Sequence, residues 1–588
     1  MGHPADRVSH ERRALGVSRF GACPPADEGN GSGFPSGADG LRRGNVFTTH
    51  TAVPAGFDLF SRDLVQKYFA EYAKELGIDV DRLMRLARHA ADEQETRFNM
   101  AIFALRNTST INAVSRLHAE VSQKLFSASF PDIPTDEVPI LHVTNGVHLE
   151  SWASSDMMGL LTRYLSEQWM LETSNAKVWE AVDRIPDTEF WRTHERRRER
   201  LVAHARKRLA QQLRARSALP EEIEEAAEVL DPRALTIGFA RRFATYKRAT
   251  LLFRDPERLE KILNDADRPV QIIFSGKAHP ADEAAKSYIK DIVHFARRPG
   301  MRDKIVFLEN YDLGVARDLV TGVDLWLNTP RRPLEASGTS GMKALVNGAL
   351  NCSVLDGWWA EAYGPEYGWA VGAGEVYEKA EYQDDVESNA LYDLLEKEIV
   401  PTFYKRTKDG LPRSWIAMMK TSMKHLCPMF NTDRMVQQYV ETLYRPAKEY
   451  YEKLAADNFG ASRAYTRYRL HTRENWNDVR IEERRGERKR HSLHGRGDRR
   501  ESDRGARRRP PRRRSCGNLR WFTGRESRVS KRRRDKDESG GRSGWPSVSL
   551  RRALPVCRRG SARHRRSGDS VQRALRPFPH ALPLIRWG

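Results

Sequence analysis

Five short apolar segments separated by helical patterns constrain the fold of this chain more than any other feature. The segments lie at residues 235–240, 270–275, 304–309, 323–328 and 350–355. Between them run amphipathic stretches such as DPERLEKILND and ADEAAKSYIKDIVHFARR. Apolar strands that alternate with helices are typical of a parallel sheet with helices on its faces. The sequence therefore predicts a parallel α/β fold in this region.

The regions on either side of these segments are predicted to be mostly helical. Residues 60–230 carry amphipathic patterns, and the clearest is FNMAIFALRNTSTINAVSRLHAEVSQKLF at residues 98–126. A second helical stretch is expected at residues 386–456, after the last apolar segment. The chain shows no internal repeat.

One lysine lies at the start of a predicted helix. In EASGTSGMKALVNGAL, residues 335–350, small residues precede apolar residues at helical spacing, which predicts a helix that begins near Thr339. Free N–H groups at a helix start bind phosphate, and Lys343 in the first turn would have a lowered pKa suited to an imine. The alternative is an ordinary capped helix with a solvated lysine, and this segment alone favours that alternative.

A basic cluster follows the first predicted strand. The run LTIGFARRFATYKRATLLF, residues 235–253, places Arg241, Arg242, Lys247 and Arg248 just after the apolar segment. Open α/β sheets bind anionic ligands at the carboxyl ends of their strands. A solvated basic turn is the alternative, and the cluster by itself does not decide between the two.

Taken together, these two segments resemble the α-glucan (glycogen) phosphorylases. FTTHTAVPAG, HVTNGVHLESW, VFLENYDLGVARDLV and NCSVLDGWWAEAY also look like segments of the bacterial short-form members of that family, and they occur in the family's order. The resemblance covers about residues 46–480. Several long strings in the right order are far more specific than one short motif.

The resemblance implies a GT-B-like architecture, in which two Rossmann-like domains face each other across a cleft and the second holds pyridoxal 5′-phosphate. Residues 46–180 would be the end of the first domain, and residues 181–460 the cofactor domain with its closing helices. Residues 461–480 would be a family-like remnant. The start of the first domain is expected to be absent. Because that domain forms part of the cleft, this fragment is expected to have little or no activity.

The resemblance also implies an activity. The family cleaves terminal α-1,4-glucosyl units of glycogen or maltodextrin with inorganic phosphate and releases glucose 1-phosphate. The cofactor's phosphate shares a proton with the substrate phosphate. Because two phosphates repel strongly in a water-poor site, the protein must place several cations around them.

Site residues follow from the matching strings. Lys343 would form the imine, Arg242 would bind the substrate phosphate, and Lys247 is the third residue assigned to catalysis. The positions that match cofactor binding are Lys343, Arg241, Lys247, Tyr311, Thr339 and Ser340. The positions that match glucose binding are His50, Asn145, Tyr246, Glu335, Ser337 and Gly338. No metal site is expected.

Each glucose-binding candidate also has an ordinary structural explanation. His50 could be a core histidine with satisfied hydrogen bonds, Asn145-Gly146 is a common turn dipeptide, and Tyr246 could simply pack. Two other functions remain open on the sequence. One is a nucleotide-sugar glycosyltransferase such as a glycogen synthase, which would need no imine at Lys343. The other is nucleic-acid binding through the arginine-rich tail.

The basic character of the chain resides in its tail. Residues 481–588 contain 34 Lys+Arg and 11 Asp+Glu, a balance of +23, whereas the whole chain carries +21. The tail has no sustained apolar period, so we expect it to be disordered. Its Arg, Gly, Ser and Pro mixture favours translation of GC-rich DNA out of frame over a nucleic-acid arm. Residues 1–45 are Gly/Pro-rich and raise the same expectation.

Cysteine usage and hydropathy indicate the compartment. The five cysteines are scattered, with no C-x-x-C pair, so neither a disulfide framework nor a zinc site is expected. The sequence has no secretory signal and no apolar stretch long enough to span a membrane. A reducing, cytoplasmic setting fits these observations. The sequence leaves a homo-oligomer open.

Overall fold

The computed structural model describes residues 42–88, 96–131, 133–475, 479–485 and 518–523. The chain divides into one compact unit up to Phe459 and a second from Gly460. The sequence predictions for residues 1–41 and for most of the arginine-rich tail lie outside the described residues.

The first unit begins with a small parallel sheet. Its strands are ordered β1–β4–β5, and β2 and β3 form a separate antiparallel pair. The bounds are β1 (Val46–Thr48), β2 (Leu59–Phe60), β3 (Phe98–Asn99), β4 (Thr110–Ala113) and β5 (Ile140–His142).

A six-stranded parallel sheet follows, with the strand order β11–β10–β9–β6–β7–β8. Its strands are β6 (Leu235–Phe243), β7 (Val270–Ala278), β8 (Ile305–Leu308), β9 (Leu325–Asn328), β10 (Leu350–Val354) and β11 (Gly368–Val371). The prediction of a parallel α/β fold is confirmed, and β6 to β10 lie on the five apolar segments. The edge strand β11 was not predicted, because its four residues carry too short a pattern.

Helices connect and cover these strands. They are α1 (Arg62–Glu75), α2 (Val80–Arg85), α3 (Met100–Arg106), α4 (Arg116–Leu125), α5 (Leu149–Trp152), α6 (Ser155–Leu165), α7 (Gln168–Leu171), α8 (Ala176–Trp179), α9 (Asp187–Ala215), α10 (Pro220–Glu225), α11 (Pro256–Leu263), α12 (Glu283–Ala296), α13 (Leu313–Gly322), α14 (Ser340–Leu345), α15 (Trp359–Ala362), α16 (Ala380–Leu394), α17 (Val400–Tyr404), α18 (Arg413–Leu426), α19 (Thr432–Tyr439) and α20 (Arg445–Glu474). Non-helical backbone at Ala456–Phe459 interrupts α20.

Residues 98–126 differ from the single amphipathic helix that the sequence predicted. They contain β3, α3, β4 and α4, so a strand separates two helices. Two side chains bind carbonyls at the end of α3. Asn107 Nδ2 donates to the Phe103 carbonyl (2.7 Å), and Thr108 Oγ1 donates to the Ala104 carbonyl (2.9 Å). Both helices and the strand between them bury apolar residues. The apolar residues therefore continue through the segment, and the change from helical spacing to the two-residue spacing of a strand is hard to see in the sequence.

The large sheet is buried on both faces. Along β6 to β9, successive side chains alternate between two apolar clusters, as the two-residue period of a strand requires. In β8, for example, Ile305 and Phe307 join the larger cluster, whereas Val306 and Leu308 join the smaller one. Burial on both faces explains why these strands read as continuous apolar runs.

The described part of the second unit contains a strand pair. Strand β12 (Val479–Arg485) lies antiparallel to β13 (Asn518–Thr523). Disorder is the sequence-based prediction for residues 481–588, and the structure differs from it at these two segments. Apolar and polar residues alternate over only a few positions here, a signal too short to stand out from the surrounding arginines.

A buried aspartate fastens the large sheet to helix α9. Asp324 is fully buried and accepts hydrogen bonds from Arg198 Nη1 (2.6 Å), from His194 Nε2 (2.9 Å) and from the Thr236 N–H (2.8 Å). Burial alone would raise the pKa of Asp324, but these partners hold it below its usual range. The aspartate is therefore ionised, and it neutralises a buried arginine.

We expect Asp324→Asn to lower the free energy of unfolding by about 3–5 kcal/mol, because it removes the buried counter-ion of Arg198. The remaining carboxylate, Glu195, is partly exposed and lies 3.8 Å from Arg198 Nη2. Urea denaturation measures this loss. The matched control is Asp318→Asn, since Asp318 meets His204 in a partly exposed pair at 3.4 Å and should change stability by less than about 1 kcal/mol. Equal effects of the two substitutions would contradict the assigned role.

Candidate active site

The carboxyl ends of the two parallel sheets meet in the first unit. Beyond β4, Ser115 Oγ donates to the Ala336 carbonyl at 2.6 Å. Glu361, in α15 after β10, accepts from the Arg116 N–H at 2.8 Å and from Thr144 Oγ1 at 2.9 and 3.0 Å. Ligands of open α/β sheets bind outside the carboxyl ends of the strands. The candidate site is built at this meeting of two edges.

A buried carboxylate pairs with one basic residue near the end of β6 and one in the turn that follows it. Glu335 accepts from Arg241 Nη2 at 2.7 Å and from Lys247 Nζ at 3.1 Å. Burial tends to raise the pKa of Glu335, but the two cations hold it below its ordinary value. Burial, helped by Arg241 and opposed by Glu335, lowers the pKa of Lys247 to about 8.

The cluster has cationic groups to spare. Arg241 Nη1 is buried and has no hydrogen-bond partner within the described part of the chain. The next side chain, Arg242, is exposed and makes no ion pair with any described residue. A buried donor without a partner is costly, so a bound anion would relieve it. These residues fit an anionic group such as a phosphate.

A second carboxyl beside Glu335 is only partly ionised at neutral pH. Asp356, after β10, accepts from the N–H groups of Glu335 (2.9 Å) and Gly357 (2.8 Å). Burial, together with the charge of Glu335, raises the pKa of Asp356 to about 7. Asp356 therefore fixes the Glu335 backbone and is partly protonated near neutral pH, which preserves the positive balance of the cluster.

The loop that follows Glu335 is held by close backbone contacts. The Ser337 carbonyl accepts from the Trp358 N–H at 2.8 Å, and a Cβ at Gly357 would lie 2.1 Å from that same carbonyl oxygen. Gly338 has a φ of +70°, in the left-handed region that favours glycine. The Ser337–Gly338 turn therefore depends on two glycines.

Helix α14 begins where the sequence predicted. Thr339 is its N-cap residue and Ser340 its first residue. The Ser340 hydroxyl accepts from Trp326 Nε1 at 3.0 Å, which fixes its side chain. The first N–H groups of any helix have no intrahelical partners, so those of α14 can bind an anion.

Lys343 lies against an aromatic ring. Its Nζ is 4.0 Å from the centroid of the Trp152 ring, and its side chain is half-buried. Burial lowers the pKa of Lys343, which favours the neutral, nucleophilic amine. Trp152 lies in the HVTNGVHLESW string, but the sequence predicted no role for it. The cation–π contact is long-range in sequence and leaves no local pattern.

Two tyrosines lie next to the basic cluster. The Tyr246 ring is 5.0 Å from Lys247 Nζ, and its backbone carbonyl accepts from the Arg331 N–H at 2.6 Å. Burial raises the pKa of Tyr246, and the charge of Glu335 adds to the effect. Tyr311 follows β8; burial raises its pKa and Arg241 opposes this. The structure thus brings both tyrosines to the Arg241 group.

His50 and Asn145 lie on the edge of the smaller sheet. His50 follows β1 and is exposed, and it makes no hydrogen bond with the described residues. Its neighbour is His118, which the sequence analysis did not single out and which meets the Thr51 carbonyl at 2.8 Å. The Asn145 N–H donates to the Val114 carbonyl. Among the described residues, no hydrogen bond or ion pair joins these two candidates to Glu335.

Comparison with known proteins identifies the family. The profile described as carbohydrate phosphorylase matches residues 60–377, which is more than half of the chain. The chain belongs to the carbohydrate phosphorylase family. The matched range contains every candidate site residue except His50.

Curated members of the carbohydrate phosphorylase family are similar over most of this chain. Maltodextrin phosphorylase of Thermococcus litoralis is 41% identical over 442 residues, covering 75% of this chain and 51% of the relative. Glycogen phosphorylase of Mycobacterium tuberculosis is 40% identical, with coverages of 77% and 52%. Glycogen phosphorylase of Aquifex aeolicus is 42% identical, with coverages of 69% and 57%. The chain spans about half the length of these relatives.

Two further features are absent from the described residues. These residues contain no group of three or more His, Cys, Asp or Glu side chains arranged to hold a metal ion. Within the same residues, no helix combines the length and the apolar character needed to cross a membrane.

Substitution of Gly146 tests whether the turn that contains Asn145 packs closely against Asn431. A Cβ at Gly146 would lie 2.1 Å from the Asn431 carbonyl oxygen, a backbone atom. Gly146→Ala should therefore force the backbone apart and cost about 2 kcal/mol or more in urea unfolding. In α6, Gly159 has nothing within 4 Å of its Cβ position, so Gly159→Ala should stabilise by about 0.5–1 kcal/mol. A neutral Gly146→Ala would show that this contact is not close in solution.

Proposed function

We propose that this chain is the cofactor-binding part of an α-glucan phosphorylase and that it binds pyridoxal 5′-phosphate through Lys343. The observation that carries the proposal is the buried group of Arg241, Lys247 and Glu335, with its unpaired guanidinium nitrogen, in a member of the carbohydrate phosphorylase family. A phosphate would supply the missing acceptor.

The proposed cofactor site draws on two segments. Lys343 would hold the cofactor covalently, and its lowered pKa supports this role. Arg241, Lys247 and the backbone N–H groups at Thr339 and Ser340 would bind the cofactor phosphate, because a helix start and two cations both favour a dianion. Tyr311 would lie beside the ring.

The substrate groups are assigned to the remaining candidates. The bound cofactor would supply a phosphate that exchanges a proton with inorganic phosphate. Arg242, exposed and without an ion pair among the described residues, would bind that inorganic phosphate. The hydrogen-bonding groups proposed to bind the terminal glucose are His50, Asn145, Tyr246, Glu335, Ser337 and Gly338.

The electrostatics of the cluster suit proton transfer between phosphates. Lys247, with a pKa of about 8, can hold or release a proton near neutral pH. When a phosphate enters, it competes with Glu335 for Arg241 and Lys247. Glu335 would then be available to accept hydrogen bonds from sugar hydroxyls, so phosphate and glucose binding would be coupled at this carboxylate.

The reaction that we propose is phosphorolysis of terminal α-1,4-glucosyl units of glycogen or maltodextrin to glucose 1-phosphate. The names of the relatives support this glucan class. We further propose a GT-B-like arrangement in which residues 46–180 belong to the first Rossmann-like domain and residues 181–460 to the second, and a cytoplasmic location.

Incubation with pyridoxal 5′-phosphate followed by borohydride reduction should label Lys343. Peptide mapping by mass spectrometry identifies the labelled residue. Lys343→Arg should abolish the label, whereas Lys304→Arg, which changes a partly exposed lysine paired with Asp303, should leave it unchanged. Labelling of a different lysine, or none in a folded sample, would refute the cofactor assignment.

Arg242→Ala should weaken binding of inorganic phosphate to the cofactor-loaded protein about 10- to 100-fold, because charge-assisted hydrogen bonds to the dianion are lost. Phosphorus NMR of the bound cofactor, titrated with phosphate, measures this affinity. The control is Arg254→Ala, since Arg254 is paired with Asp385 on the surface. If the two variants bind phosphate alike, Arg242 does not contact the substrate phosphate.

A further inference from the structure

The side chain of Asn347 links the two segments that carry Lys343 and Trp152. Asn347 follows α14 and is 2% exposed. Its Nδ2 donates to the carbonyls of Lys343 at 3.0 Å and of Trp152 at 2.8 Å. Its Oδ1 accepts from the Ser154 N–H at 2.8 Å. Both amide hydrogens and the amide oxygen are therefore used.

This arrangement restricts the Trp152 segment in more than one direction. The amide of Asn347 binds the carbonyl of Trp152 and the N–H of Ser154, which lie on either side of Ala153. Two contacts on one short segment fix its rotation as well as its position. The third contact joins the same amide to the Lys343 carbonyl. The backbones of Lys343 and Trp152, whose side chains are in contact, are therefore both bound by Asn347.

Asn347 is in turn linked to the core through His194. His194 lies between the Asn347 carbonyl (Nδ1, 3.4 Å) and Asp324 Oδ1 (Nε2, 2.9 Å). Asp324 is the fully buried aspartate that fastens the large sheet to α9. Asn347 therefore connects a rigid part of the core to the Lys343 site.

We propose that Asn347 is a positioning residue for the cofactor lysine: its amide holds the Trp152 ring against Lys343 Nζ and so shields a covalent adduct at this nitrogen from water. The proposal rests on the proposed function, in which Lys343 condenses with the cofactor aldehyde and one water is lost. Hydrolysis reverses this step, because water adds to the C=N carbon and the amine and aldehyde are regenerated. A ring held over the nitrogen slows that attack.

A double-mutant cycle separates positioning from general stability. The proteins are wild type, Asn347→Ser, Trp152→Ala and the double variant, each loaded with pyridoxal 5′-phosphate. The measurement is the release rate of the cofactor after dilution, followed by loss of the adduct absorbance. Asn347→Ser should release the cofactor about tenfold faster than wild type, a coupling typical of contacting residues. In the Trp152→Ala background the same substitution should change the rate by less than about twofold.

Gln271→Ser is the matched control for loss of a buried amide. Gln271 also makes three hydrogen bonds, to the Asp231 N–H (2.7 Å), the Asp231 carbonyl (2.9 Å) and Thr236 Oγ1 (2.7 Å), at the amino-terminal end of β7. Gln271→Ser should lower the free energy of unfolding without changing the release rate of the cofactor. If Asn347→Ser does not fold, Asn347→Asp gives the same test, because it keeps the shape and the acceptor but loses both donors.

The outcomes distinguish failure of the proposed function from failure of the positioning role. A wild-type protein that forms no adduct at Lys343 refutes the proposed function and, with it, the role of Asn347. Adduct formation with an unchanged release rate in Asn347→Ser leaves the proposed function intact and overturns the positioning role. The same holds if the rate increase persists in full in the Trp152→Ala background, since Asn347 would then act without the ring.

Discussion

The double ion pair of Glu335 with Arg241 and Lys247 is the interaction on which the candidate site depends. Two cations side by side in a buried position repel each other, and burial drives the proton from the lysine. The carboxylate between them opposes both effects, so the cluster folds as a compact group. Its positions come from β6 and from the loop after β9, which the parallel sheet places at one edge. The sheet thus assembles charges that no single segment could hold.

Much of this arrangement is visible in the sequence because strands, loops and charges have local signatures. The apolar runs of β6 to β10 are continuous since both faces are buried, and the helix start at Thr339 follows from small residues before an apolar period. The basic residues at the end of β6 and in the turn after it are visible for the same reason. The grouping of Arg241 with Glu335, however, depends on strand order, which periodicity does not give.

Other features leave no local signal. The strand β4 is hidden between two helices whose apolar residues continue its pattern. Glu361, Asp356 and Asn347 look like ordinary polar residues in the sequence, yet each is fixed by backbone groups that are distant along the chain. The ring of Trp152 over Lys343 is a further case. These residues act through tertiary contacts, and only the folded chain shows which backbone groups they meet.

The anchoring of Thr144 has a mechanical consequence. Its hydroxyl is bound by Glu361, and its carbonyl accepts from Arg434 Nη1 at 2.7 Å, while the adjacent Asn145 N–H stays bound to the Val114 carbonyl. One short turn is thus fixed to its own sheet, to the far sheet and to helix α19. A displacement of either sheet would have to stretch these bonds together. The turn that carries Asn145 is therefore bonded to three elements at once, and these hydrogen bonds together oppose a separation of the two sheet edges.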